Sequence, residues 1–206
     1  MTQRDTGPWD AIVLAAGRGQ RFGGGKLTAA LDGQPLVAGA LTTAFRAPVR
    51  RVFVAVGPDL EIRDAVYVVA RRLAETDRLV IVAVEDAIAG MGVSLAQAAC
   101  AAPDDARGVF VFLGDMPSID HRTPERLAAA LRQSDDIVAP VYLGQRGHPV
   151  LFGAAWLPAL RALSGDEGAR NLIARAGACL IQVAVEDPGV CLDVDRPEDL
   201  RALQRP

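Results

Sequence analysis

Five short apolar runs recur along the first two thirds of the chain, each parted from the next by a longer stretch of helical periodicity. They read AIVLAA (Ala11 to Ala16), RVFVAV (Arg51 to Val56), LVIVAV (Leu79 to Val84), GVFVFL (Gly108 to Leu113) and DIVAPV (Asp136 to Val141). Their length suits strands, and unbroken rather than alternating apolarity is the mark of strands covered on both faces. Between them, residues 36–47, a region around 61–75, 93–101 and 124–133 carry apolar side chains at helical spacing. This alternation predicts a doubly wound, mostly parallel sheet in a three-layer α/β sandwich. After Val141 the order loosens through YLGQRGHPVLFG. Helices are expected in AAWLPALRALSG and EGARNLIARAG, strands near CLIQVAV and VCLDV, and a last helix from Pro197, with Glu198 and Asp199 at its positive end.

With 206 residues, 50% of them apolar, the chain has enough core for one domain spanning residues 1–206. A formal charge of -3 with no run of like charge excludes a broad nucleic-acid footprint. Cys100, Cys179 and Cys191 are widely spaced in apolar surroundings and form neither a disulfide framework nor a metal signature. The first ten residues, MTQRDTGPWD, lack the pattern of a signal peptide, and no apolar stretch reaches the roughly 18 residues of a membrane span. A cytoplasmic protein without membrane contact is expected.

The loop after the first run, GRGQRFGGGKL, holds five glycines and three cations. It is not a Walker loop, because Gln20 replaces the first glycine and Leu27 the hydroxyl residue. Phe22 equally breaks the dinucleotide fingerprint that Gly17 and Gly19 begin. What remains is a loop whose backbone N–H groups can approach an anion closely, with Arg18, Arg21 and Lys26 to neutralise a triphosphate; the plainer alternative is a solvated surface turn. In an open parallel sheet such a loop and the carboxyl ends of neighbouring strands share one edge. VFVFLGDMP puts Asp115 on that edge, where a carboxylate suits Mg²⁺ bound to phosphate oxygens. Asp193 and Asp195 in CLDVDRPEDL are expected on one side of an extended segment, either completing that metal site or capping the Pro197 helix.

Taken in order, LAAGRGQRFGGGKL, GMGVSLAQA, LGDMP, RGHPVLF, LSGDEGARNLI and DVDRPEDL resemble the molybdenum-cofactor cytidylyltransferase group of the MobA-like nucleotidyltransferase family. The resemblance implies a nucleotide-diphospho-sugar-transferase-like fold and transfer of CMP from CTP to molybdopterin cofactor, with Mg²⁺ and release of pyrophosphate. The family loop pattern is met by Leu14, Ala15, Gly17, Arg21, Gly23 and Lys26, while Gly19 stands where a hydroxyl residue is often found. The resemblance assigns Arg21 and Lys26, with the loop from Leu14 through Ala15, Ala16, Gly17 and Arg18 to Gly19, to the nucleotide. It assigns Asp115 and Asp195 to the metal, with Asp195 preferred to Asp193, and Arg21, Lys26 and Asp115 to catalysis. The Gly90 to Leu95 wall, with Gly92 and Ser94, is expected over base and ribose, although Met91 and Leu95 there equally suit core packing. His148 is a candidate for the acceptor side, and Ala16 points to CTP rather than GTP. A downstream molybdoenzyme or its maturation chaperone is the implied partner. Two alternatives stand beside this: transfer to another small phosphorylated acceptor, and a non-catalytic cofactor-handling protein of the same fold. The retained Lys26 and Asp115 argue against the second.

Overall fold

The structure is a computed structural model that describes residues 9–17, 19–85, 90–166 and 168–204. The sheet is built around β1 (Trp9–Ala15). A small antiparallel ribbon of β2 (Ala30–Leu31) and β3 (Gln34–Pro35) stands apart from it. β4 (Val49–Val56) and β6 (Gly108–Leu113) flank β1 in parallel, and β5 (Leu79–Ala83) extends the sheet beyond β4. On the other side β9 (Val150–Gly153) runs antiparallel to both β6 and β7 (Ile137–Tyr142), and β10 (Leu180–Ala184) lies parallel to β7. The order is β10-β7-β9-β6-β1-β4-β5, with β8 (Gln145–Arg146) hairpinned onto β7.

Strand side chains alternate between two cores, as double winding requires. Ala11, Val13, Phe110 and Phe112 face α1 (Val37–Arg46), α2 (Leu60–Arg72), α4 (Thr123–Ala130) and α7 (Pro197–Leu203). Ile12, Val109 and Val111 face α3 (Met91–Ala101), α5 (Leu157–Arg161) and α6 (Arg170–Arg175). Among the described residues no helix is long and apolar enough to cross a membrane.

The departures from expectation have local causes. β1 and β4 begin two residues early, because Asp10, wholly buried inside β1, is held by Arg50 Nη2 at 3.0 Å. Arg50 also grips Asp105 at 3.0 Å, so a charge that reads as a strand boundary is compensated from the next strand. α4 stops at Ala130 instead of running to residue 133, since Asp136 Oδ2 accepts the backbone N–H groups of Arg132 and Gln133 at 2.8 and 2.7 Å. α5 and α6 keep five and six residues of the longer helices expected. The strand expected at VCLDV is instead a 3-10 turn, Pro188–Cys191, followed by irregular chain. There Asp187 caps the turn at Gly189 N, 3.0 Å away, and Gly189 packs so closely that a Cβ would fall 2.1 Å from Ser118 O. Backbone contact with the loop after β6 replaces a strand ladder.

Candidate functional site

The carboxyl ends of β1 and β6 are neighbours, so the glycine loop and Asp115 open from one edge. Gly114 N bonds Leu14 O at 2.9 Å, and a Cβ on Gly114 would come within 2.8 Å of that oxygen; only glycine brings Asp115 in at this distance. The loop winds through two 3-10 turns, Gln20–Phe22 and Lys26–Thr28. Gly19 and Gly25 precede them in the left-handed region at φ 59° and 62°, and among the described residues neither turn has a side-chain cap, which leaves their leading N–H groups for an anion. Gly19 departs from the family pattern for a steric reason: a Cβ there would meet Lys26 Cβ at 2.8 Å.

Lys26 is the centre of the charge cluster. Its Nζ lies 2.7 Å from Asp115 Oδ2 and 3.4 Å from Asp195 Oδ1, and its side chain is 10% exposed. Arg21 Nη1 binds the other oxygen of Asp195 at 2.8 Å from a side chain that is 74% exposed. Asp195 is carried there by its own neighbours. Val194 N donates to Asp115 O at 3.0 Å, and Asp199 Oδ2 accepts from Asp195 N and Arg196 N at 3.0 and 2.7 Å. Burial raises the Asp195 pKa, but Lys26 and Arg21 outweigh it and hold the carboxyl below its ordinary value. For Asp193 burial dominates, joined by the like charges of Asp115 and Asp195, and its pKa is raised. Asp193 forms no hydrogen bond or ion pair with Lys26 or Arg21, so the metal candidates that the cluster brings together are Asp115 and Asp195.

These two carboxylates fit a hard divalent ion. Asp115 Oδ1 is buried and has no hydrogen-bond partner among the described residues, and the ammonium already drawn between the pair marks a seat for positive charge. No group of three His, Cys, Asp or Glu side chains stands ready for a metal among the described residues. Protein ligands would therefore be few, as suits an ion that takes the rest from phosphate and water.

A cavity of about 450 Å³ collects Leu14, Ala16, Gly17, Gly19, Arg21, Lys26, Ser94, Asp115 and Asp195. Ala15 is turned into the core, and Arg18 lies outside the described residues. Gly92, expected to line the nucleotide, lies beneath the chain of Ser164 and Gly165 instead; its N–H bonds Gly165 O at 2.8 Å, and a Cβ would come within 2.7 Å of both carbonyls. Ser94 is buried, with Oγ donating to Gly90 O at 3.4 Å. A second cavity of about 530 Å³ adjoins the first and holds His148, Arg146, Arg170 and Asn171 over an apolar floor that includes Val111 and Phe152. Burial pushes the His148 pKa below its ordinary value, so the imidazole enters that cavity as a neutral hydrogen-bonding group. Arg146, Arg170 and Asp166 lie within the RGHPVLF and LSGDEGARNLI motifs but carried no individual role in the sequence, because polar residues among glycines look like any solvated turn.

A family model described as a MobA-like NTP transferase domain matches residues 11–179. The purine catabolism protein PucB of Bacillus subtilis is 27% identical over 201 residues, covering 94% of this chain and 95% of that protein. The crystal structure of a Mycobacterium tuberculosis Rv0371c homolog from Mycobacterium sp. strain JC1 aligns with a TM-score of 0.78 at 30% identity, over 96% of this chain and 95% of that one. A manganese complex of Rv0371c from M. tuberculosis aligns with a TM-score of 0.72 at 26% identity, over 95% and 97% of the two chains.

Proposed function

The chain belongs to the MobA-like NTP transferase family, and from that premise we propose that it transfers CMP from CTP to molybdopterin cofactor and releases pyrophosphate. The observation that carries the reading is the cluster of Lys26, Arg21, Asp115 and Asp195 beneath a glycine loop, in a cavity that adjoins a second one lined by two arginines. In this reading the loop N–H groups, Arg21 and Lys26 take the triphosphate. An oxygen of the acceptor phosphate forms a bond to the α-phosphorus, the bond to the bridging oxygen breaks, and pyrophosphate carries the electron pair away. Lys26 and Arg21 start the cycle engaged with Asp115 and Asp195, so the cluster is electrically balanced before any nucleotide enters. A triphosphate adds negative charge that these two cations cannot also cancel. A divalent ion held by Asp115 and Asp195, Mg²⁺ in this reading, would supply that charge and polarise the phosphate oxygens. Lys26 then changes partners from carboxylate to phosphate, where its ammonium meets the charge that builds on the leaving group.

Arg146 and Arg170 form no ion pair among the described residues, which supports an anionic acceptor in the second cavity, with neutral His148 beside it as a hydrogen-bonding partner. The same feature suits another small phosphorylated acceptor, the second reading. The downstream molybdoenzyme or its maturation chaperone would then receive the product in the cytoplasm. Pyrophosphate release, measured with each of the four NTPs and Mg²⁺, with and without molybdopterin cofactor, tests the proposal. CTP should exceed GTP, and release should require the pterin. Release with a different phosphorylated acceptor alone would move the assignment to the second reading, and equal use of CTP and GTP would remove Ala16 as a determinant of the base.

A further inference from the structure

The two cavities share four lining residues, Leu14, Met91, Leu113 and Asp166, of which Asp166 alone carries a charge. Leu14, next to last in β1, is paired with Leu113, the last residue of β6, and Met91 opens α3. Asp166 belongs to a strap, residues 164–166, that lies across the start of α3. Two glycines admit it. A Cβ on Gly90 would fall 2.4 Å from both Asp166 Oδ1 and Gly165 O, and one on Gly92 would fall 2.7 Å from Ser164 O. Gly90 also has φ +112°, a conformation that side-chain-bearing residues rarely adopt. The close approach of the strap brings the exposed carboxylate to the junction, and Asp166 makes no hydrogen bond or ion pair among the described residues.

Resting on the nucleotide reading above, we infer that Asp166 is the acceptor for the ribose hydroxyls of the bound nucleotide and makes the site selective for ribonucleotides. The α-phosphorus must be reachable from both cavities, so the parts of a nucleotide at their junction are the α-phosphate and the adjoining ribose. An unpaired carboxylate repels the phosphate, whose countercharges lie at the Lys26 and Arg21 end of the cavity. The ribose presents two vicinal O–H donors, which match the two oxygens of one carboxylate, and carboxylate recognition of ribose hydroxyls is a recurrent solution in nucleotide sites. A hydrogen bond to a charged acceptor is among the stronger ones, so its loss is readable in affinity.

Calorimetric titration of CTP and 2′-deoxy-CTP, each with Mg²⁺ and without acceptor, into wild type, Asp166→Ala and Asp166→Asn tests this. Wild type should bind CTP at least about tenfold more tightly than 2′-deoxy-CTP. Asp166→Ala should erase that difference by weakening CTP alone, and Asp166→Asn, which retains one acceptor oxygen and the shape of the strap, should fall between. Equal weakening of both nucleotides, or no weakening of either, overturns the inference. If wild type binds CTP and the ratio is the same in all three proteins, this assignment alone falls; if wild type binds no nucleoside triphosphate, the nucleotide reading falls with it. Melting temperatures of the three proteins exclude a folding defect, and should Asp166→Ala fail to fold, Asp166→Asn still reports the ratio.

Discussion

Lys26 is a half-buried cation shared by two carboxylates, and its value to the protein lies in being able to leave them. Lys26→Ala should lower turnover at saturating nucleotide by about a hundred- to a thousandfold, the usual cost of losing one contact to a developing charge. Steady-state kinetics with circular dichroism as the folding control checks this, and an unchanged rate in a folded variant would return the loop to an ordinary surface turn. His148 supports a second prediction, about pH. Burial holds its pKa below the ordinary value of about 6.5, so the unfolded chain takes up a proton that the native chain resists. The native state therefore keeps its full stability above that pH and loses part of it as the pH falls through the window below. Melting curves from pH 5 to 8 should show a steeper acid decline for wild type than for His148→Gln. At this scale the sequence displayed Lys26, Arg21 and Asp115 clearly, because cations among glycines and a carboxylate ending an apolar strand are unusual patterns. Asp166 was hidden, since nothing local distinguishes an Asp in a turn from one pressed against the start of a helix distant in sequence.

The segment from Asp187 to α7 shows how an element can be misread in type when its backbone and side chains are tied to a distant loop. Its apolar residues suggested a strand, but Asp187 spends its carboxylate on Thr123 Oγ1 at 2.7 Å, Asp120 N at 2.9 Å and Gly189 N at 3.0 Å, which ties the segment to the start of α4. Asp187→Ala leaves buried donors unmet and should destabilise the protein by roughly 2–4 kcal/mol, read as a lowered midpoint in urea unfolding. Because the same segment carries Asp195, turnover should fall as well, and a variant with lower stability but wild-type turnover would separate the two roles. The parallel strands were legible as unbroken apolar runs, and the helices between them by their helical periodicity. β9 was not, being four residues, all buried, lying antiparallel between strands whose order sequence cannot supply.

Across the whole molecule the two edges of the sheet divide stability from chemistry. The amino edge holds the buried Asp10 with Arg50, and Arg50→Ala would strand that carboxylate and cost about 3–5 kcal/mol. Turnover per folded molecule should stay at the wild-type level, since the charge cluster stands at the opposite edge; thermal unfolding and kinetics on the same preparation check both halves, and a matching fall in turnover would refute the division. The other edge is joined through the hydrogen bond from Val194 to Asp115, which closes a loop of most of the second half of the chain. Closing so long a loop costs chain entropy that the contacts at this edge must repay. Asp115 and Asp195 are therefore united by chain far apart in sequence, and a protein shortened before Val194 would keep the glycine loop and Asp115 yet lose the second carboxylate of the cluster.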